Sequence, residues 1–453
     1  MVVEKVRIKE IIGGRFDNSF VLYHHKTSEY KYPVFPLNRF LLEKPQYGSG
    51  EAGMPRDNID MPRYIRITDI DDNGFLIDSI GVTAKRIEKK YILRNNDILI
   101  ARSGNTVGKS YIHKSDSIQD ICFFAGYLIR FIVDSNLLLP DYFFIFTKLS
   151  FFSNWVKVTQ RVAGQPNINA EEYSHLPIPV PSIEIQKNIV SVYQDAVRKR
   201  TGMINEAKQL INSIDDYLIK TLQIKNDRKV SKRIIQSNIS YIVGGRIDVQ
   251  FHIKNEMALA RIRGVPHKPL GDIAIFSSET WDQKSLFKDV FPYIEINSVD
   301  IVTGEINDIE YVPFNKAPSR AKKIVRKNDI LISTTRPNRG AICIYEHDDL
   351  SIASTGFAII RNTYDDVLKE YLSIVLRSSI SLEQMAIRSS GGNYPSIIES
   401  ELKKVLVPVP SIVVQKEIIN TVIRIKTKAK HLQEEGDRIL EETKLKIEQL
   451  VLG

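Results

Sequence analysis

One long phrase occurs twice in this chain, and the repeat constrains the fold more than any other feature. Residues 178–190 read IPVPSIEIQKNIV and residues 407–419 read VPVPSIVVQKEII, so Gln186 matches Gln415, 229 residues further along a chain of 453. Solenoid repeats run about 20–50 residues, so a repeat at half the chain length means two copies of one domain. Further landmarks return in the same order. GGRFD at 13–17 returns as GGRID at 244–248, RYIRITDIDDNGFL at 63–76 as PYIEINSVDIVTGEI at 292–306, and RNNDILIARSGNTVGKS at 94–110 as RKNDILISTTRPNRGAI at 326–342. FAGYLIR at 124–130 matches STGFAIIR at 354–361, and GQPNI at 164–168 matches NYPSI at 393–397. Duplication followed by divergence accounts for the ordered set.

The retained segments, such as YIRITDI and DILIAR, are alternating or β-branched and read as strands. The altered ones are Gly-, Ser-, Asn- and Arg-rich and read as loops, with SGNTVGKS in the first copy replaced by TTRPNRGA in the second. A constant scaffold with changed loop tips points to two related domains that recognise different things.

After each Pro-rich phrase the period changes. Ile204, Ala207, Ile211, Ile214 and Leu218, and in the second copy Ile425, Ala429, Leu432, Gly436 and Ile439, alternate three and four apart, as in a coiled-coil seam. Ser182 and Ser411 are candidate N-caps, placed where the chain leaves the extended geometry imposed by proline. Each helix runs to about 40 residues, roughly 60 Å. The two seams pack either on one another, the economical arrangement, or each on its own domain. The expected fold is α+β: a first domain over residues 1–181, a long helix and linker over 182–235, a second domain over 236–410 and a second long helix over 411–453. Two long antiparallel helices would then form a coiled-coil spacer between duplicated domains.

Composition excludes more than it selects. With 43% hydrophobic and 26% charged residues the chain is of the soluble globular class, and 63 Lys+Arg against 54 Asp+Glu, net +9, is compatible with nucleic acid without diagnosing it. Cys122 and Cys343 are too few for a disulfide framework or metal cluster. The first residues lack an apolar signal core and no stretch approaches the roughly 18 apolar residues of a membrane span, so the cytoplasm is expected. GNTVGKS at 104–110 encloses three residues between its glycines where a phosphate loop needs four. Pro140-Asp141 could begin a nuclease carboxylate set, but Glu206–Lys208 and Glu442–Lys444 fall on the expected long helices. No cofactor loop of a methyltransferase and no zinc spacing is present, so the chain reads as a binding subunit.

The candidate DNA-binding residues are loop side chains able to reach base edges and phosphates. In the first copy these are Tyr47, Gly48 and Ser49; Arg102, Ser103, Asn105, Thr106 and Lys109; and Gln160, Arg161 and Gln165. In the second they are Ser333, Thr334, Arg336, Asn338 and Arg339, with Arg388, Ser389, Asn393 and Tyr394. Arg bridges guanine O6 and N7, and Asn or Gln bridges adenine N6 and N7. Arg15 and Arg246 read first as structural, paired to Asp17 or Asp248.

Taken together, the paired PSIxxQKxI phrases, the NDILIARSGNTVGK run and the YIRITDI strand resemble the specificity subunit of type I restriction–modification systems, over essentially the whole chain. The resemblance implies two target-recognition domains, each reading one half of an asymmetric bipartite DNA sequence, with the helices setting the unread spacer. It implies two modification subunits that supply S-adenosylmethionine and methylate flipped adenines, and restriction subunits that supply ATP- and Mg-dependent translocation and cleavage. No catalytic residue, metal or cofactor is expected on this chain. Gln186, Lys187, Gln415 and Lys416 are candidate partner contacts, with helix-end packing inside the chain as the alternative. The alternatives for the whole chain are a type IIB recognition subunit, a stand-alone nucleic-acid-modifying enzyme and a scaffold that reads no bases.

Overall fold

The computed structural model describes residues 30–58, 60–77, 80–116, 118, 120–160, 166–225, 249–283, 286–287 and 289–452. Arg15, Asp17, Arg246 and Asp248, and the candidates Arg161 and Gln165, lie outside the described residues. The chain divides into two compact units, Met1–Gly202 with Glu435–Gly453, and Met203–Glu434. The division cuts both long helices, so each unit contains part of each.

In the first unit an antiparallel sheet runs in the order Gln46–Tyr47, Leu128–Phe131, Ile98–Ala101, Ser110–Ile112. A second sheet runs Gly53–Pro55, Val82–Ala84, Arg63–Ile65, Cys122–Phe124, its last pair parallel. Strand Ile98–Ala101 shows why the repeat keeps this phrase. All four residues are buried, and the strand's period of two sends Ile98 and Ile100 into one core while Leu99 and Ala101 enter another with Ile65 and Phe124. Beneath it, Asp97 pairs with Arg130 at 3.2 Å; burial lifts the carboxyl above its usual range while Arg130 and Arg94 oppose that rise. Helices α1 (Pro140–Phe146), α2 (Ser150–Thr159) and α3 (Ala170–Ser174) cover the first core, and Pro140 opens α1 where its missing N–H costs nothing. Asp141 is ion-paired to Lys114 at 2.7 Å, and no metal-binding group of His, Cys, Asp and Glu occurs among the described residues.

The second unit repeats the plan. One sheet runs Ala274–Phe276, Phe357–Thr363, Ile330–Ser333, Ile342–Ile344; the other runs Glu310–Pro313, Val290–Ile294, Ser351–Ser354, Ala321–Val325. Asp329 pairs with Arg361 at 2.8 Å, as Asp97 does with Arg130. The copies differ at the sheet edge: Gly53–Pro55 flanks Val82–Ala84 in the first unit, and Ala321–Val325 flanks Ser351–Ser354 in the second. Cys122 and Cys343 are buried free thiols, pushed by burial up to about 11 and about 12.

The long helices are α4 (Ile183–Thr221) and, later in the chain, α10 (Ile412–Leu452), of 39 and 41 residues. Between them lie α5 (Val249–Ile262), α6 (Leu270–Ile273), α7 (Lys369–Leu376), α8 (Ser379–Arg388) and α9 (Glu399–Leu402). Both packing alternatives hold at once. In the first unit Ile189, Tyr193 and Ala196 of α4 share the domain core with Leu440, Ile447 and Val451 of α10. Here α10 passes α4 at Gly436, where a Cβ would lie in ordinary contact with Arg200 at 3.4 Å, and Arg200 pairs with Asp437 at 2.7 Å. In the second unit Leu218 and Leu222 share a core with Ile418 and Val422 while Glu206 faces Lys428, so these stretches run antiparallel. No helix among the described residues is long and apolar enough to cross a membrane.

A half-buried cation bolts the same turn in each unit. Lys148, after α1, donates to Ser110 O at 2.9 Å and reaches Asp72 O at 3.5 Å; burial, the main cause, pushes it down to about 7, with Asp71 opposing and Lys444 and Lys109 adding. At the matching place Arg377 donates to the carbonyls of Gly340, Ile342, Ile301 and Val302 at 3.3, 3.0, 3.2 and 2.8 Å. Gly304, with φ +72°, would put a Cβ 2.1 Å from the Arg377 guanidinium, so only glycine fits both the turn and the bolt.

Candidate nucleic-acid interface

In the first unit the chain leaves strand Ile98–Ala101 at Arg102, whose N–H is donated to Tyr127 O at 3.0 Å and whose Nε is donated to Gly126 O at 3.2 Å. Its guanidinium lies 5.0 Å from the Tyr47 ring, whose hydroxyl accepts the Ala170 N–H at 3.0 Å. The loop Ser103 to Thr106 is braced by a bridge from Ser103 to Asn167 and by the Gly104 N–H to Pro166 O at 2.9 Å. Tyr47, Arg102, Ser103, Asn105 and Thr106 are therefore brought together around this loop. Tyr127, 62% exposed, joins them and was missed, because FAGYLIR reads as a strand.

Four candidates have other duties. Gly48 is a close-packing glycine, since a Cβ there would sit 2.3 Å from Ala125 O. Ser49 is buried and its N–H is donated to Phe124 O at 2.8 Å. Lys109 is ion-paired with Asp72 at 3.2 Å beside the Lys148 bolt. Gln160 is half-buried where α2 ends, its N–H donated to Val156 O at 2.9 Å.

In the second unit Arg336 holds a left-handed backbone at φ +48°, ψ +52°, a conformation rare for a side-chain-bearing residue and most often retained at working sites. Its N–H is donated to Pro395 O at 2.7 Å, its Nη2 to Asn393 O at 2.8 Å, and its guanidinium lies 4.2 Å from the Tyr394 ring. The tip Ser333–Arg339 and the segment Asn393–Ser396 are thus brought together, with Asn338, Arg339, Asn393 and Tyr394 exposed. Thr334 is fixed by N–H and hydroxyl bonds to Gly356 O at 2.8 and 2.9 Å, and Ser333 is buried with its hydroxyl on Thr335 O. Arg388 and Ser389 are engaged within the unit. Arg388 pairs with Glu401 at 3.3 Å and donates to Asn255 at 3.2 Å, and Ser389 donates to Met385 O; both serve the packing of α5, α8 and α9.

Beside Arg336 and Arg339 lies a cleft of about 630 Å³ that also takes in Glu295, Asn297, Asn307 and Arg320. Glu295 and Asn297 escaped the sequence reading because they sit in a segment that matches between the copies, where the substitution of RITD at 66–69 by EINS at 295–298 was the available signal; Asn307 and Arg320 lie outside the matched segments. Among the described residues, Arg102, Arg320, Arg336 and Arg339 enter no ion pair, whereas the scaffold arginines Arg130 and Arg361 are neutralised by aspartates. Guanidiniums left without carboxylates at loop tips, two of them stacked on tyrosines, suit phosphates, guanine edges and base faces.

The partner-contact reading fails for Gln186 and Gln415. Both are fully buried. Gln186 accepts the Leu139 N–H at 2.8 Å and donates to Leu137 O and Pro181 O; Gln415 accepts the Leu368 N–H at 2.9 Å and donates to Asp366 O and Pro410 O. Each amide fastens the start of a long helix to its own domain, which explains why the phrase recurs. Gln186→Ala should cost about 2–3 kcal/mol, since it strands buried backbone groups, and urea unfolding would measure it. Lys187 and Lys416 are exposed on the same turns.

Residues 51–213 and 264–435, more than half of the chain, match a family described as the type I restriction modification DNA specificity domain. The type I restriction enzyme HindI specificity subunit of Haemophilus influenzae is 29% identical over 156 residues, a match spanning 34% of this chain and 33% of that relative. The MjaVIII specificity subunit of Methanocaldococcus jannaschii is 21% identical over 377 residues, spanning 80% of this chain and 82% of the relative. A solved chain from a study of complex assembly and conformational transition of the type I R-M system aligns at TM-score 0.47 and 16% identity, over 93% of this chain and 98% of that one. The chain therefore belongs to the type I restriction modification DNA specificity family, carries its domain twice, and is a DNA-recognition subunit of that kind.

Proposed function

We propose that each unit reads one half of a bipartite, asymmetric double-stranded DNA sequence and that the long helices set the unread spacer between the halves. The observation that carries this is the repeated presentation of guanidiniums without carboxylate partners: Arg102 with Tyr47 in one unit, and Arg336 with Tyr394, Arg320 and Arg339 in the other. The loop sequences differ while the scaffolds match, as two different half-sites require. Lys187 and Lys416 are exposed at equivalent helix starts, where two copies of one modification subunit would find the same contact.

In this reading the chain works in the cytoplasm and catalyses nothing. Two modification subunits bring S-adenosylmethionine, and restriction subunits bring the ATP- and Mg-dependent translocation and cleavage. The type I assembly is favoured over type IIB by the family that the chain matches.

Binding dominated by phosphate contacts is steeply salt-dependent. Duplex affinity of the assembled complex, measured by fluorescence anisotropy, should fall by about a thousandfold or more between 50 and 200 mM salt if some six or more phosphates are neutralised. A flat salt profile would count against a DNA-reading surface.

A further inference from the structure

We infer that Glu295 is a specificity-determining residue of the second unit, accepting a hydrogen bond from the exocyclic amino group of a base, with cytosine favoured. The inference rests on the DNA-reading role proposed above.

Glu295 stands at the end of strand Val290–Ile294, exposed, in the cleft that also holds Arg320, Arg336 and Arg339. The turn that follows is closed by Ser298, whose N–H is donated to Glu295 O at 3.1 Å and whose hydroxyl accepts the Glu295 N–H at 3.2 Å. Among the described residues the Glu295 carboxylate enters no ion pair.

The first unit shows what the same position does otherwise. Arg66 occupies it, and Asp69, in the place of Ser298, accepts the Arg66 N–H at 2.9 Å and holds the guanidinium through Nε at 3.1 Å and Nη2 at 2.8 Å. Divergence kept the turn, reversed the charge and removed the partner. An acid there is not needed for the fold, since the other copy folds with a base.

A carboxylate without a counter-charge is ill placed against a phosphate, and the three arginines in the same cleft offset its repulsion from DNA as a whole. An ionised carboxylate only accepts. Of the groups on a major-groove edge it can therefore pair with cytosine N4 or adenine N6 and must reject guanine O6 and N7 and thymine O4. Glu pairs most readily with cytosine N4, because adenine also presents the N7 acceptor beside its amine.

The test uses the complete system in a host genome, with methylated bases mapped by single-molecule sequencing. Glu295→Gln and Glu295→Ala, both at an exposed position, should relax one base-pair position in one half of the motif, lowering discrimination there roughly 5- to 150-fold. Glu295→Arg combined with Ser298→Asp, which installs the pair found in the first unit, should favour guanine at that same position. An unchanged motif in all three variants, including a uniform gain or loss of methylation, overturns the inference while leaving the DNA-reading role standing. A wild-type motif that is not bipartite overturns both.

Discussion

Inserting seven residues into α4 after Gly202 and seven into α10 after Glu434 is expected to lengthen the unread spacer by about three base pairs and leave both half-sites unchanged. Seven residues add about 10 Å of helix, and base pairs are stacked about 3.4 Å apart. A whole heptad returns the seam to the same face. The two positions are the limits of the compact units, so the contacts on either side, Arg200 with Asp437 and Glu206 with Lys428, stay within their own units. The insertion must be made in both helices, because a heptad in one alone slips it against its antiparallel neighbour. Mapping methylated bases in the host checks the result; a spacer of unchanged length would exclude a measuring role for the helices.

Arg377→Ala should destabilise the second unit by about 3–5 kcal/mol. The half-buried guanidinium serves four carbonyls from two segments, Gly340–Ile342 and Ile301–Val302, and its loss leaves them without a donor and Asp300 without its counter-charge. Arg377→Lys should lose less, about 1–2 kcal/mol, because Lys148 performs the same task in the first unit with two carbonyls. For a unit of this size 3–5 kcal/mol corresponds to a fall in Tm of about 6–20 °C, readable by calorimetry. A change within about 2 °C would mean that the carbonyls find water as good a partner.

The scaffold was legible because it obeys periods. Ile98–Ala101, apolar throughout, and Ile330–Ser333, apolar up to its closing serine, became central strands buried on both faces. The three-and-four spacing after residue 204 gave both long helices to within a few residues, though Leu440 rather than Ile439 is the fully buried member near the end of the second seam. What stayed hidden was the use made of polar side chains. A Gln five residues after a proline reads as a candidate partner contact, yet Gln186 and Gln415 are buried latches. Nothing in the local sequence marks Lys148 or Arg377, each just past a short helix, as a bolt for backbone carbonyls. The loop tips are marked by their composition, whereas Glu295 and Arg66 stand just past the ends of matching strands and emerge only when the cleft is seen and the copies are compared.

The most direct test of two independent readers is to replace residues 1–181 with the matching domain of a relative of different specificity and map the methylated bases of the host. The account predicts that one half of the motif changes while the other half and the spacer stay the same. A change in both halves, or in neither, would contradict it.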